Sequence, residues 1–263
     1  MKRSILFAFC LAAASAAFAQ VAPPVGKKVT SGFGPRSKEE QKAVQAVIQT
    51  QAPDEKIKAC EELVTGFPKT DFKSFALELE AEAYQQKGDN TKAMVFAEQA
   101  LEADPKNYDA DNVLANILAA TTRETDLDKD QKVAKADKYA HASLDLLATG
   151  ERPPLYEKVS PEQWAKIKAS GESLAYQALG NLALLKKNTD EAVAFFEKGI
   201  AANPDPVLMI RVGRALLAAK KPDDAITWFD KAINSPDVTA QIKGIATSDK
   251  ARAMQAKGPS AAK

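Results

Sequence analysis

The sequence predicts an all-α protein built from consecutive helix–turn–helix hairpins, and three observations lead to this fold class. Alanine is abundant and only 7% of the residues are aromatic, which suits closely packed helices better than β-sheets. Apolar residues recur with helical spacing, as at Leu77, Ala81 and Tyr84. A similar segment also returns about every 33 residues, which is typical of a helical repeat array.

The repeat is clearest towards the C-terminus. Residues 190–200 and 223–233 share an acid, Ala, Phe, Lys and Ile at equivalent positions. An earlier segment, residues 93–101, carries the same pattern and is followed by Pro105, as the later one is followed by Pro204. Because proline lacks a backbone N–H, both prolines are expected to end the second helix of a hairpin.

This pattern resembles the tetratricopeptide repeat (TPR) family, which has a small residue at the eighth position, Ala at the twentieth, an aromatic residue at the twenty-fourth and Pro at the thirty-second. The small residue lets helix axes approach to roughly 8–10 Å, and the aromatic residue is expected in the seam with the next repeat. The structural positions assigned on this basis are Ala81, Tyr84, Ala93, Ala97, Ala100, Pro105, Gly180, Ala192, Phe196, Pro204, Gly213, Ala225, Phe229 and Ala232.

The resemblance implies a right-handed solenoid over residues 38–257, with a C-terminal capping helix. Residues 20–37, rich in Pro and Gly, are expected to form a flexible leader, and residues 258–263 a disordered tail. Ser160 and Gln163 predict the start of a long helix, because the two side chains can cap it reciprocally. The repeats are expected at 38–70, 74–107, 108–148 with a polar insertion at 121–131, 173–205 and 206–238, with the cap at 239–256.

The first residues predict an export signal. Lys2 and Arg3 precede an uncharged run at 5–17, and residues 17–19 read Ala-Phe-Ala, the small-x-small pattern of a signal peptidase site. A membrane anchor is the alternative, but the run is shorter than the roughly 20 residues that span a bilayer. We expect a signal peptide at 1–19, no membrane insertion after its cleavage, and a bacterial protein in the periplasm or cell envelope, with secretion as an alternative.

Charge and cysteine content narrow the function further. The 36 basic and 35 acidic residues nearly cancel, so no basic field favours nucleic acid or anionic lipid as a partner. Removal of residues 1–19 would take away Cys10 and leave Cys60 as the only cysteine. Cys60 shares an apolar helical face with Ile57 and Leu63, so a buried packing role is expected rather than redox chemistry.

The sequence supplies no recognisable catalytic or metal-binding set, and no cofactor is expected. His141 is the only histidine and has no ligand or triad partner at a suitable spacing. Asp126, Asp128 and Asp130 alternate as in a calcium loop, but the glycine at the sixth position is missing and Asp137 replaces the final Glu. We expect a solvated acidic loop there instead.

Pairs and triplets of acids on the predicted helices invite a catalytic interpretation as well. They alternate with apolar residues, so they are interpreted as solvent-exposed charge. The acids concerned are Glu61, Glu62, Glu78, Glu80 and Glu82.

The resemblance also implies a binding groove. In TPR proteins the second, fifth, ninth and twelfth positions of each first helix face a peptide. The corresponding residues are Glu78, Glu82, Gln85, Asn112, Asn116, Gln177, Asn181 and Arg214. Amides can hold a peptide backbone whatever its side chains. Asn181 and Arg214 would also suit a clamp for a C-terminal carboxylate, although Gln177 stands where Lys is common. The alternative is that these are ordinary exposed helix residues.

Together these patterns predict an exported, non-catalytic scaffold that holds a partner protein or extended peptide in its groove. The alternative is a structural subunit of a cell-envelope complex that uses the convex face. An enzyme is less favoured because no catalytic set can be assembled.

Overall fold

A computed structural model describes residues 32–236 and 238–257, and all the regular secondary structure in these residues is helical, which confirms the all-α class. A single turn of 3-10 helix covers Pro154–Tyr156. The α-helices are α1 Lys38–Gln49, α2 Pro53–Gly66, α3 Lys73–Gln86, α4 Asn90–Ala103, α5 Tyr108–Thr121, α6 Lys129–Ala148, α7 Pro161–Leu185, α8 Thr189–Ala202, α9 Pro206–Ala218, α10 Pro222–Ile233 and α11 Ala240–Lys257.

The signal peptide at 1–19, the leader up to residue 31 and the tail at 258–263 lie outside the described residues. The last residues of the predicted leader, 32–37, lie within the described part of the chain and contact the helical domain. The Phe33 ring lies edge-on to Phe72, with the ring centroids 4.9 Å apart. Arg36 Nη2 forms an ion pair with Asp71 Oδ1 at 2.7 Å. None of the described helices is long and apolar enough to cross a membrane.

Three of the hairpin turns share one backbone geometry. Gly88, Lys187 and Lys220 each follow a first helix and have φ of 79°, 61° and 60°, in the left-handed region. Next to two of these residues, Asp89 and Asn188 accept hydrogen bonds from the backbone at the start of the following helix. The left-handed residue turns the chain and the cap starts the second helix, so both are expected features of a tight hairpin.

The described chain divides into two compact units. The N-unit comprises residues 32–117 with His141–Gly171, and the C-unit comprises Leu118–Ala140 with the described residues from Glu172 onward. The chain passes between the units within α5, α6 and α7.

The N-unit core is formed by residues of α1, α2 and α3 together with Tyr108 of α5, Leu147 of α6, Trp164 of α7 and residues of the segment between α6 and α7. Cys60 and Leu63 are fully buried there, in one cluster with Phe75, Tyr156 and Trp164. Burial raises the pKa of the Cys60 thiol to about 12. The expected buried, packed position of Cys60 is therefore confirmed.

In the C-unit, glycines of the first helices accommodate aromatic rings. A Cβ atom on Gly180 would lie 2.3 Å from the Phe196 ring, and one on Gly213 would lie 2.5 Å from the Phe229 ring. Both rings are fully buried. These rings were expected to pack in the seam with the next repeat. The structure shows that each ring also packs on the glycine of its own hairpin.

Helix α7 begins with the predicted reciprocal cap. Gln163 N donates to Ser160 Oγ, and Ser160 N donates to Gln163 Oε1, each at 3.2 Å. The helix runs without interruption through Gly171. A Cβ atom at Gly171 would lie 3.1 Å from Leu147 and 3.2 Å from Tyr108, so this glycine permits a close contact within the N-unit.

Helix α11 closes the C-unit with an apolar stripe. Ile242, Ala246 and Ala253 are buried on it, while the neighbouring Met254 is exposed.

Candidate binding surface

Three carboxyl groups lie close together in the N-unit. Glu78 and Glu82 are one turn apart on α3, and Asp109 lies in the first turn of α5. Glu78 is buried, whereas Glu82 and Asp109 are half-buried. The Glu78 and Glu82 side chains share a hydrogen bond. These residues, here called the carboxyl cluster, occupy the faces of two first helices.

Burial dominates the electrostatics of the carboxyl cluster. It raises the pKa of Glu82 from 4.5 to about 8 and that of Asp109 from 3.8 to about 7. Burial, followed by the charge of Glu82 and Asp109, raises the pKa of Glu78 well above its usual range. None of the three forms a salt bridge within the described residues. Lys56 acts on both glutamates from a distance, but its Nζ donates to Val47 O at 2.6 Å.

Aromatic residues stand beside the carboxyl cluster. The Tyr156 hydroxyl donates to Asp109 Oδ2 at 3.3 Å. The rings of Tyr108, Tyr156 and Trp164 are mutually close, with centroids 5.4 to 6.4 Å apart. The Tyr108 hydroxyl is buried beside the Tyr156 hydroxyl and the Asp109 carboxyl group. Burial, followed by the negative charge of Asp109, raises the pKa of both tyrosine hydroxyls well above its usual value.

The structure places the two predicted α5 amides inside the N-unit. Asn112 and Asn116 are 2% and 5% exposed. Asn112 Nδ2 donates to Gly171 O at 3.1 Å, and Asn116 Nδ2 donates to Asn112 O at 3.0 Å. These donors, expected to hold a peptide backbone, are therefore already engaged. Asn112 Oδ1 remains buried without a donor. Gln85, near the end of α3, is half-buried.

The interpretation of all the helix acids as solvent-exposed charge is wrong for α3. Glu61 and Glu62 on α2 are exposed as expected, but Glu78 is 5% and Glu80 only 1% exposed. Helix α3 packs against both α2 and α4, so even its polar positions are covered. Burial and the nearby Glu61 raise the pKa of Glu80 to about 7.

The C-unit pairs its polar residues. Arg214, which is exposed, donates from Nε to Asp249 Oδ2 at 2.6 Å, and Arg252 Nη1 lies 3.2 Å from Asp249 Oδ1. Half-buried Asn181 accepts a hydrogen bond from Arg211, and Gln177 is buried. The predicted clamp arginine thus already holds a carboxylate of the same chain.

Sequence reasoning missed Asp249 and Asp109. Asp249 follows Ile242 and Ala246 on the buried stripe of α11, so an acid at that apolar position was the available signal. Asp109 stands at the second position of its repeat, one of the groove positions, although it was not among the candidates. Tyr156 carried no signal, because it lies in an irregular segment between helices.

The histidine and the acidic loop considered in the sequence analysis lie in ordinary surface environments. His141 is exposed. Asp126 and Asp128 bind Lys132 Nζ at 3.0 and 2.9 Å, and Asp126 Oδ2 also accepts the Arg123 backbone N–H. Among the described residues no three His, Cys, Asp or Glu side chains are grouped to hold a metal ion.

The fold and these surfaces define a helical-hairpin repeat protein with polar faces on its first helices. Comparison with known families identifies the repeats: residues 76–107 in the N-unit and 174–206 in the C-unit match the tetratricopeptide repeat model. The chain therefore contains TPR repeats, which generally mediate protein–protein interaction. No curated protein matches the chain.

A solved structure with a similar fold is TTC0263, described as a thermophilic TPR protein of Thermus thermophilus. The match has a TM-score of 0.61 and 15% identity, and it covers 80% of this chain and 98% of that one. At this identity the likeness extends to the fold alone. It supports the α-solenoid class predicted from the sequence.

Proposed function

We propose that this protein is an exported, non-catalytic scaffold that binds a partner protein or extended peptide through the first-helix face of its N-unit. One observation carries the proposal. The carboxyl cluster occupies the positions that face a ligand in TPR proteins, and it forms no salt bridge within the described residues. The C-unit pairs the charge at its corresponding position, Arg214 with Asp249.

Binding fits these residues better than catalysis. The raised pKa values of Glu82 and Asp109 would suit proton transfer, but an acid or base needs a reacting partner. The one described cysteine thiol, that of Cys60, is fully buried and its pKa is about 12. A buried thiol of high pKa is a poor nucleophile.

Photo-crosslinking tests which surface meets the partner. A benzoylphenylalanine residue is placed at Gln85, on the first helix α3, or at Val95, an exposed position on the second helix α4. The proposal expects a specific adduct from Gln85 and none from Val95 in the producing cells. Adducts from Val95 with none from Gln85 would overturn the choice of surface.

The assembly-subunit alternative predicts a different labelling pattern. Leu127, within the segment between α5 and α6, is fully exposed, and an envelope complex would cover it. A crosslinker at Leu127 that labels the same protein as one at Val95 would favour assembly. Labelling from Gln85 alone would rule it out.

Export is a separate part of the proposal and rests on residues 1–19. Replacement of Ala17 and Ala19 by Lys should block cleavage, because a signal peptidase reads small residues at these positions. Fractionation of a Gram-negative host, with N-terminal sequencing, should show a mature start at Gln20 for the parent only. A parent chain that keeps Met1 in the cytoplasm would contradict export.

A further inference from the structure

We infer that the first-helix face of the N-unit is partly occupied by the chain itself, and that a partner must displace this occupant in order to bind. The occupant is the covering loop, residues 149–160, which connects α6 to α7. The inference rests on the proposed function and adds the regulation of that surface. It predicts that the free protein is held in a state of low affinity for its partner.

The first argument is that ligand-facing positions already have contacts within the chain. The Tyr156 hydroxyl of the covering loop donates a hydrogen bond to Asp109 Oδ2 at 3.3 Å, at the second position of its repeat. At the fifth position, Asn112 Nδ2 donates to the Gly171 carbonyl of α7 at 3.1 Å. An amide that holds a backbone carbonyl is the contact that the sequence analysis expected for a peptide. Residues of the same chain therefore make contacts that a ligand would make.

The second argument is that few side chains hold the covering loop on this face. Tyr156 and Val159 are its two buried residues, 7% and 6% exposed, and both belong to the N-unit core. Leu155 packs against the same core but is only half-buried. The ion pair of Glu151 with Lys106 is mostly exposed and contributes little to stability. Displacement of the loop would therefore uncover a small apolar surface rather than a whole layer of the core.

The third argument is that the covering loop can leave this face without unwinding a helix. It forms local backbone hydrogen bonds, since Tyr156 N donates to Pro153 O and Val159 N donates to Tyr156 O. Gly150 follows α6 with a φ of 71°, in the left-handed region that commonly ends a helix. Helix α7 starts with its own reciprocal cap. A segment with local hydrogen bonds and few buried contacts is expected among the parts of a protein that open most readily.

An internal contact keeps the covering loop compact. Arg152 Nη1 donates to Val159 O at 3.0 Å and so joins two parts of the loop that are seven residues apart. Pro153 and Pro154 lie between them, and the proline ring fixes φ at both positions. Compact surface loops of about this length are frequently functional. The loop can therefore open and close as one body, and the apparent affinity for a partner should follow the fraction of molecules in which the face is open.

Hydrogen exchange of the purified parent protein tests the opening directly. The amides of Tyr156 and Val159 should exchange roughly hundredfold faster than the buried amides of α3, because only a local opening is required. Their exchange should depend little on low concentrations of urea, since the opening uncovers little surface. Exchange of these amides at the rate of α3, with the same urea dependence, would show that the loop opens only when the N-unit unfolds and would overturn the inference.

A peptide that copies the covering loop tests whether the face accepts such a segment from outside. The probe is a fluorescein-labelled peptide of residues 150–160, and fluorescence anisotropy gives its Kd. The joint change Y156A and V159A weakens the attachment of the protein's own loop, so this variant should bind the peptide about tenfold more tightly than the parent. The peptide carrying Y156F should bind more weakly, because it cannot donate to Asp109. Equal affinity of parent and variant for the peptide, or no binding to either, would overturn the inference.

The matched control is Glu157→Gln, at an exposed position of the same loop, which should change neither the exchange nor the peptide affinity. Circular dichroism should show that each variant keeps its helix content. Because Y156A/V159A removes two buried side chains, Tyr156→Phe in the protein serves as a milder variant. It removes only the hydroxyl that Asp109 accepts from, and it should raise the peptide affinity by a smaller factor. No gain in peptide affinity in either variant would contradict the inference.

These outcomes are separable from the scaffold proposal. The inference expects Y156A/V159A to capture more partner from the crosslinker at Gln85 than the parent does. Equal capture by parent and variant would overturn the inference and leave the scaffold standing. Peptide binding by the variant, with no partner captured from Gln85 in either protein, would support the internal occupant and contradict the scaffold.

Discussion

The N-unit and C-unit are built from the same hairpin but differ at two matched positions. Where the C-unit pairs Gly180 with Phe196, the corresponding N-unit residues are Ala81 and Ala97, both fully buried. The first-helix faces differ as well, since Arg214 has a partner in Asp249 and the carboxyl cluster has no ion pair within the described residues. The same hairpin backbone is therefore compatible with different core side chains and with different charge pairing on its surface.

The source of the difference is the element added to each unit. In the C-unit, α11 contributes Asp249, a buried acid that meets Arg214. In the N-unit, the segment after α6 contributes Tyr156, whose hydroxyl donates a hydrogen bond to Asp109 but supplies no positive charge. A repeat array can therefore pair the charge on one first-helix face within the chain and leave the carboxyl groups on another without an ion pair among the described residues.

The core comparison is tested by Phe196→Ala, which should cost about 3–5 kcal/mol because it removes a fully buried ring. Gly180→Ala alone should cost about 1–3 kcal/mol, because its Cβ would meet that ring. The double variant, which reproduces the Ala–Ala pair of the N-unit, should be more stable than the sum of the single effects predicts.

The measurement is urea unfolding followed by Trp228 fluorescence in a Trp164→Phe background, so that the signal comes from the C-unit. Phe195→Ala is the control, since Phe195 is only half-buried. Strictly additive costs for Gly180→Ala and Phe196→Ala would show that the two positions are not a matched pair.

The surface comparison is tested by Arg214→Ala, which leaves the buried Asp249 with only the exposed Arg252. We expect a loss of about 1–3 kcal/mol, less than for a fully buried pair because Arg214 is exposed. A double-mutant cycle with Asp249→Asn, measured by the same Trp228 signal, should give a favourable coupling. No coupling would mean that the C-unit face is not satisfied by this pair.

The N-unit should instead lose stability as pH rises. The folded-state pKa of Glu82 and Asp109 is raised, so the folded chain holds protons that the unfolded chain has released. This contribution is complete below the ordinary values of 4.5 and 3.8 and is lost as pH rises through about 7 to 8. Because both groups are partly exposed, we expect a loss of about 1–2 kcal/mol between pH 5 and pH 8.

Trp164 fluorescence in a Trp228→Phe background reports the N-unit in this experiment. Glu82→Gln should flatten the pH dependence, while Glu102→Gln should not. A stability that rises over the same pH range would contradict unpaired acids in the N-unit.

Most of the fold could be predicted because a helical repeat depends on the spacing of residues that are close in sequence. The Ala and Gly spacing predicted the hairpins, and Ser160 and Gln163 predicted the start of α7, since capping depends on neighbours in sequence. The burial of Cys60 followed from its helical face in the same way.

The candidate site was less predictable, because burial of a polar residue depends on neighbours distant in sequence. Glu78 and Glu80 alternate with apolar residues as exposed acids do, and only the packing of α3 on both sides shows otherwise. Tyr156 meets Asp109 across 47 positions of the chain, a contact that no local pattern encodes. The predicted groove positions identified Glu78, Glu82 and Asn112 but not their surroundings.

The smallest expected effect concerns the cap that holds the aromatic side of the N-unit in place. Ser160→Ala removes the Oγ that accepts the Gln163 N–H, and it should cost about 1 kcal/mol in unfolding measured by Trp164. Ser170→Ala, within the same helix, is the control and should change stability little. An unchanged free energy of unfolding in Ser160→Ala would show that the reciprocal cap does not stabilise the start of α7.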